Sequence, residues 1–262
     1  MEKNAVQSVE RTFTILEALS KTPAGMPLME LSQTVGLHKS TVHRLLASLS
    51  FLGYVTRDPE SGHYKLTLRF FELGSRIVND MDILTLARPH LDRLSQLAQE
   101  AVHLVVRDGT DIVYVYKVDT NNNTIRLSSR VGLRSPMYCT AVGKSILSAL
   151  PRDEVKRIWE SSDITSLTPH TIVEFPQLLG QLEQIRRDGY AMDNEENELG
   201  VRCIGAPVLG LGGKPLGAVS ISAPLSRMED DRVAQLVVHL LETKRLISEQ
   251  AGYLKDQASR GF

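Results

Sequence analysis

Two cysteines, Cys139 and Cys203, in 262 residues are too few for a disulfide framework, and residues 1–30 lack the apolar core of a signal peptide. Together these point to a reducing, cytoplasmic setting. Long hydrophobic runs are also missing. A weakly polar stretch such as 203–213 is short and glycine-rich, whereas a spanning helix needs about 20 apolar residues, so no membrane partner is expected. The formal net charge of −1 shows no excess of either sign, and partners must be sought in local charge. There is no fixed-period repeat and no low-complexity segment. Nor is there a G-x-S-x-G, C-x-x-C or H-E-x-x-H arrangement, so no catalytic residues are assigned and an enzyme is not expected.

What is present is ample core material, 42% hydrophobic residues, on a chain long enough for two domains. Local charge divides them. Between residues 38 and 69 stand Lys39, Arg44, Arg57, Lys65 and Arg69, with His38, His43 and His63, against Asp58 and Glu60. Between 183 and 198 the acids Glu183, Asp188, Asp193, Glu195, Glu196 and Glu198 outweigh Arg186 and Arg187. This asymmetry fits two different partners.

Apolar spacing and breakers predict a first helix capped by Ser8, with Val9, Phe13, Leu16 and Leu19 on one face, ended by the Lys21 to Pro27 stretch with its two prolines. A second helix is predicted over 28–35 and a third over 39–52, with Gly36 between them and Gly53 after. Short alternating strands over 54–57 and 63–66 flank Asp58-Pro59-Glu60-Ser61-Gly62, which has the chemistry of a hairpin turn. Thr67 is suited to cap a linker helix with Leu68, Phe71 and Ile77 on one side. Asp82 restarts helical periodicity, with Pro89 expected to kink it or begin a new turn. From residue 102 the texture turns to strands over 102–107, 111–118 and 124–129, then helices over 141–150, 152–160 and 175–188. Strands over 201–209 and 215–223 and a closing helix over 227–249 complete an α+β layout.

The 28–52 segment carries the pattern of a DNA-reading helix-turn-helix. Ser32 and Gly36 fall where a small residue and a turn glycine are needed, and Leu31, Val35, Leu37, Val42 and Leu45 where two helices pack. The outward face of the third helix is then Lys39, Ser40, Thr41, His43, Arg44 and Ser48, all able to contact phosphate or a base edge. Its N-terminus, the end that normally enters the major groove, offers free N–H groups. Ser40, Thr41, His43 and Arg44 are the expected readers of base sequence. On the wing, Arg57, His63 and Lys65 are candidate backbone contacts, with a solvated charged hairpin as the equal alternative for each.

These residues resemble the IclR family of bacterial regulators, and within it a KdgR-like branch concerned with sugar-acid metabolism. The resemblance spans about residues 6–253. It rests on Gln7-Ser8-Val9-Glu10-Arg11, on Leu37-His38-Lys39-Ser40-Thr41-Val42-His43-Arg44-Leu45-Leu46, and on Leu52-Gly53-Tyr54-Val55. It continues in Pro136-Met137-Tyr138-Cys139-Thr140-Ala141-Val142-Gly143-Lys144 and in Asp193-Asn194-Glu195-Glu196-Asn197-Glu198-Leu199-Gly200-Val201-Arg202-Cys203. It implies a winged helix-turn-helix DNA-binding domain over 1–67, a linker helix over 68–82, a GAF-like effector-binding domain over 83–255 and a flexible tail over 256–262. It also implies dimers formed through the N-terminal domains, and tetramers made of these. His38, at the N-cap of the third helix, departs from the Ser or Pro common in the family; Ser would cap better.

In the second domain, Ala141-Val142-Gly143-Lys144 opens a helix whose small side chains leave backbone N–H groups accessible to a carboxylate. Gly143-Lys144-Ser145 looks like the end of a phosphate-binding loop, but the glycine required five residues earlier is Tyr138, which excludes nucleotide binding. Ser220 and Ser222 alternate onto one strand face, and Asp193 and Cys203 lie at strand ends. In the family, positions matching Ala141, Val142, Asp193, Cys203, Ser220 and Ser222 line a pocket for small carboxylic acids, and Gly143 joins them here. Glu195, Glu196 and Glu198 read as a solvated acidic turn, and His103 as a structural strand residue. A metal held by Cys203, Asp193 and His103 lacks ligand spacing, so neither metal nor cofactor is expected. The resulting expectation is a repressor of sugar-acid catabolic genes that binds operator DNA and a small carboxylate effector. An activator or dual regulator is the alternative, and a GAF-like sensor with enzymatic activity a weaker one.

Overall fold

The computed structural model describes residues 6–79, 82–119 and 129–253. The strand expected over 124–129, apart from Ser129, together with the Ile77 side chain and the 256–262 tail, lies outside the described residues. The chain divides into two compact units, 1–80 and 81–262.

The first unit begins with α1 (Gln7–Ser20), α2 (Leu28–Thr34) and α3 (Lys39–Phe51). The antiparallel hairpin β1 (Val55–Arg57) and β2 (Tyr64–Leu66) follows, then α4 (Arg69–Asn79). Helix α1 starts one residue before Ser8, at an N-cap, Val6, that provides no side-chain cap. Its core contribution is Ile15, Leu16, Ala18 and Leu19, while Val9 and Phe13 stand exposed. The single apolar face expected from sequence is therefore two stripes, because Val6, Val9 and Phe13 repeat at helical spacing but are turned away from Ile15 and Leu19. The core closes with Leu31, Val42, Leu46, Leu49, Val55 and Tyr64. Arg69 N–H donates to Thr67 Oγ1 at 3.3 Å, and Tyr54 packs on Phe70.

The second unit opens with α5 (Asp82–Ala98), a single helix that runs through Pro89 rather than breaking there. Next come β3 (Ala101–Asp108), β4 (Asp111–Val118) and β5 (Arg134–Pro136). Helices α6 (Ala141–Ser148), α7 (Arg152–Ser161) and α8 (Phe175–Asp188) follow. The unit ends with β6 (Ala191–Asn194), β7 (Val201–Leu209), β8 (Pro215–Pro224) and α9 (Asp230–Gln250). The strands form one antiparallel sheet in the order β5-β4-β3-β8-β7-β6. Strand parity sorts its faces. Val105, Ile112, Tyr114, Ala191 and Ala218 join a core with Val142 and Ile146 of α6 and Leu178 and Leu182 of α8. The alternate buried residues, including Leu104, Ile204, Val219 and Ile221, face the other way, where α5 and α9 contact the same strands.

Candidate functional sites: a DNA-reading helix and a polar sheet face

In the first unit, Ser32 Oγ donates to the Leu37 carbonyl at 2.6 Å across the turn between α2 and α3, and Gly36 turns the chain at φ +64°. A side chain is strained in that left-handed region, which is why glycine stands there. Val42, Leu46 and Leu49 anchor α3 in the core, leaving Lys39, Ser40, His43, Arg44 and Ser48 exposed and Thr41 half-buried. His38 makes no side-chain cap, and the first helical amides, of Lys39 and Ser40, have no acceptor within the helix. A phosphate fits that end. Among the described residues the Arg44 guanidinium makes no hydrogen bond or ion pair, whereas Ser48 Oγ donates back to the Arg44 carbonyl at 3.2 Å.

The wing is more committed to itself. Lys65 Nζ pairs with Asp58 at 3.1 Å, and Arg57 Nε donates to the Gly62 carbonyl at 3.2 Å. Asp58 is held well below the usual carboxylate range by the Ser61 amide and then by Lys65. Lys65 and Arg57 thus serve the turn, and His63 is half-buried beside it.

In the second unit, antiparallel register sets Asp193, Cys203 and Ser222 in one row across β6, β7 and β8, and Gly205 and Ser220 in the next. The first turn of α6 lies directly above. A Cβ on Gly205 would stand 2.9 Å from the backbone of Ala141 and Val142, so glycine is what lets the helix end approach the sheet. Thr140 caps α6 by accepting the Gly143 amide at 3.2 Å. The Ala141 and Val142 amides have no acceptor within the helix, and the peptide between these residues packs on the sheet at Gly205. Gly143 plays a different part from the one its neighbours allow. Its amide is taken, and a Cβ there would meet the Met137 backbone at 2.4 Å, so it is a close-packing residue.

Asp193 both lines the face and builds it. Its Oδ1 accepts the Glu196 amide at 2.8 Å and the Asn197 amide at 3.4 Å, which folds the turn after β6. Burial, together with the nearby Glu196 carboxylate, raises its pKa to about 7 against these donors. A folded pKa above the unfolded value of about 3.9 gives stability that is complete below about pH 4 and lost as pH rises through 7. Urea unfolding should therefore show the wild type losing stability relative to Asp193→Asn between pH 5.5 and 8. Parallel pH profiles for the two proteins would contradict this. The Cys203 thiol, bonded to Ser222, and the Cys139 thiol are both pushed up by burial, Cys139 to about 12.

The acidic turn is where the sequence reading fails. Glu195 and Glu198 are half-buried, Glu195 Oε2 accepting the Gly200 amide at 2.8 Å, and Glu196 is buried and forms an ion pair with Lys144, whose side chain has no solvent exposure. Lys144 Nζ also donates to Gln181 Oε1 at 2.8 Å, while Glu196 Oε2 has no hydrogen-bond partner among the described residues. Thr171 Oγ1 donates to the Glu196 carbonyl and Thr168 Oγ1 to that of Glu195, each at 2.6 Å. The available signal was Lys144 itself, a cation inside an otherwise small and apolar helix, which requires a buried partner.

A separate open cleft of about 810 Å³ lies among α6, α8, β7 and α9. None of the residues assigned to effector binding lines it. Two of its four basic groups are occupied locally, Arg186 by the Ser148 and Leu150 carbonyls and Arg245 by Glu242 and Glu249. Among the described residues no group of His, Cys, Asp and Glu is arranged to hold a metal ion, and no helix is long and apolar enough to cross a membrane.

Comparison with known proteins places the chain in a family. Residues 8–59 match the IclR helix-turn-helix domain, and residues 75–249 match the domain described as bacterial transcriptional regulator IclR C-terminal. The chain is 41% identical to the HTH-type transcriptional regulator KdgR of Escherichia coli K12 over 96% of its own length and 95% of the relative's. It is 39% identical to the DNA-binding transcriptional repressor YiaJ of the same organism, over 94% and 88%. The crystal structure of the Thermotoga maritima IclR superposes with a TM-score of 0.82 at 32% identity, covering 94% of this chain and 99% of that one. These are regulators rather than enzymes, and the chain belongs to the IclR family of bacterial transcriptional regulators.

Proposed function

We propose that the chain is a cytoplasmic repressor of sugar-acid catabolic genes, released from its operator when the second unit binds a small carboxylate of the 2-keto-3-deoxy sugar-acid or aldonate type. The observation that carries this is the α6 N-terminus, whose Ala141 and Val142 amides stand over the Gly205 position of a sheet face bearing Asp193, Cys203, Ser220 and Ser222. Helix amides favour a carboxylate, and the hydroxyls and the protonatable Asp193 suit the rest of a polyhydroxy acid. The YiaJ relative, a DNA-binding transcriptional repressor by name, supports the sign of regulation. Binding shifts the equilibrium between assemblies that present two recognition helices at different spacings, a coupling of about 1–3 kcal/mol in typical cases. A thermal-shift screen of sugar acids tests it: a true effector raises Tm and lowers operator affinity. An acid that raises Tm without touching operator binding is not the effector.

The dimer that this requires forms through the first unit. Val9 and Phe13 of α1 and Leu68 and Phe71 around the start of α4 are exposed at 52%, 58%, 81% and 71%, large apolar side chains of the kind that a protein interface covers. The double variant Phe13→Asp, Phe71→Asp should sediment as a monomer with an unchanged circular dichroism spectrum. A dimer of wild-type affinity would place the interface elsewhere.

A further inference from the structure

The row that carries Ser220 continues past β8. Register places His103 of β3 opposite Ser220, so Gly205, Ser220 and His103 stand side by side on the face that α6 covers. His103 is 1% exposed, on a face where Val105, Ala218 and Ile112 supply apolar core. Its Nδ1 lies 3.2 Å from Ser220 Oγ and its Nε2 2.9 Å from Ser129 Oγ. Its ring meets the Tyr114 ring edge-on at 5.3 Å, and the Tyr114 hydroxyl bonds Ser135. Burial, and then the Lys117 cation, lowers its pKa to about 3. The imidazole is therefore neutral, with one donor and one acceptor, and both partners are hydroxyls that can rotate to either role. Exchanging a serine for an incoming hydroxyl costs this group no charge rearrangement. A purely structural position here would be filled at lower desolvation cost by another Val or Ile.

Distance decides what this group can meet. The α6 N-terminus sits over Gly205, and His103 is two strands away, about 9.5 Å at the usual spacing. An extended six-carbon chain is about 6 Å long, and a hydrogen bond at its far end brings its reach to about 9 Å. A three-carbon acid anchored at α6 ends well short of His103. We propose that His103, with Ser220, forms the far wall of the effector site and sets effector length, accepting the terminal hydroxyl region of a linear six-carbon polyhydroxy acid whose carboxylate lies at α6. The proposal rests on the assignment of this face as the effector site.

Two probes that share a head group separate the two claims: 2-keto-3-deoxygluconate, with its hydroxylated tail, and pyruvate, without one. In calorimetric titrations of the full chain, wild type should bind the six-carbon acid more tightly than pyruvate. His103→Phe should weaken the six-carbon acid about tenfold or more while leaving pyruvate within about twofold, because only the tail reaches the ring. His103→Gln, which keeps a donor and an acceptor, should recover most of the loss, and Ser220→Ala provides a second variant should His103→Phe fail to fold. Unchanged six-carbon affinity in both His103→Phe and Ser220→Ala overturns the proposal and leaves the site standing, as does an equal loss for both acids. Wild type that binds neither acid removes the site assignment and the proposal together.

Discussion

Lys144→Met is expected to destabilise the second unit by about 3–5 kcal/mol, the usual cost of removing one partner of a buried ion pair. The loss comes from what remains rather than from the missing attraction. Glu196 is buried with one carboxylate oxygen already unpartnered, and without Lys144 it must either stay charged in a poor medium or take up a proton. Its pKa, raised by burial and held down by Lys144, would rise further. The double variant Lys144→Met, Glu196→Gln should recover much of the loss, since it leaves no orphan charge. Urea unfolding of the three proteins measures both effects. A single variant with the wild-type midpoint would mean that Lys144 is not paired in solution. Because Glu196 belongs to the turn that Asp193 organises, the single variant should also weaken effector binding.

Arg44→Ala is expected to weaken operator binding about 5- to 150-fold (about 1–3 kcal/mol), the range for loss of a bidentate base contact. The fold should be unaffected, since Arg44 is exposed and its neighbours Val42 and Leu46 hold α3 in place. The loss should be confined to particular base pairs, whereas Lys39→Ala, at the phosphate-binding helix end, should weaken all sequences alike and flatten the salt dependence. Duplexes recovered by selection from random DNA provide the substrate. An Arg44→Ala protein with wild-type affinity and preference would remove Arg44 as a reader.

The DNA-reading unit was legible because its signals are local. Gly36, Ser32 and the apolar spacing of α3 fix a turn and a helix within 25 residues, and Gly53 and Pro59 punctuate them. The exposure of Val9 was not, since it shares a helix face with Leu16 seven residues on and only the fold shows that Leu16 is buried in the core while Val9 stands exposed. In the second unit most elements were legible, though the three-residue β5 was too short to show a period, and their register was not. Nothing in the sequence says that Ser220 lies opposite His103, 117 residues away, so His103 passed for a strand residue of no special note. Glu196 was misread for the same reason: an acidic run looks solvated until the fold brings Lys144 beneath it. Gly205 and Gly143 mark close backbone approaches that likewise exist only in three dimensions.

The proposed regulation requires one coupling, between the α6 face and α3. Operator affinity of the full chain measured with and without a saturating sugar acid that raises its Tm tests it directly. The account predicts that the acid weakens operator binding, and that Asp193→Asn or Ser222→Ala reduces this response while leaving acid-free operator affinity unchanged. An acid that binds at this face, yet leaves operator affinity the same at saturation, would contradict it.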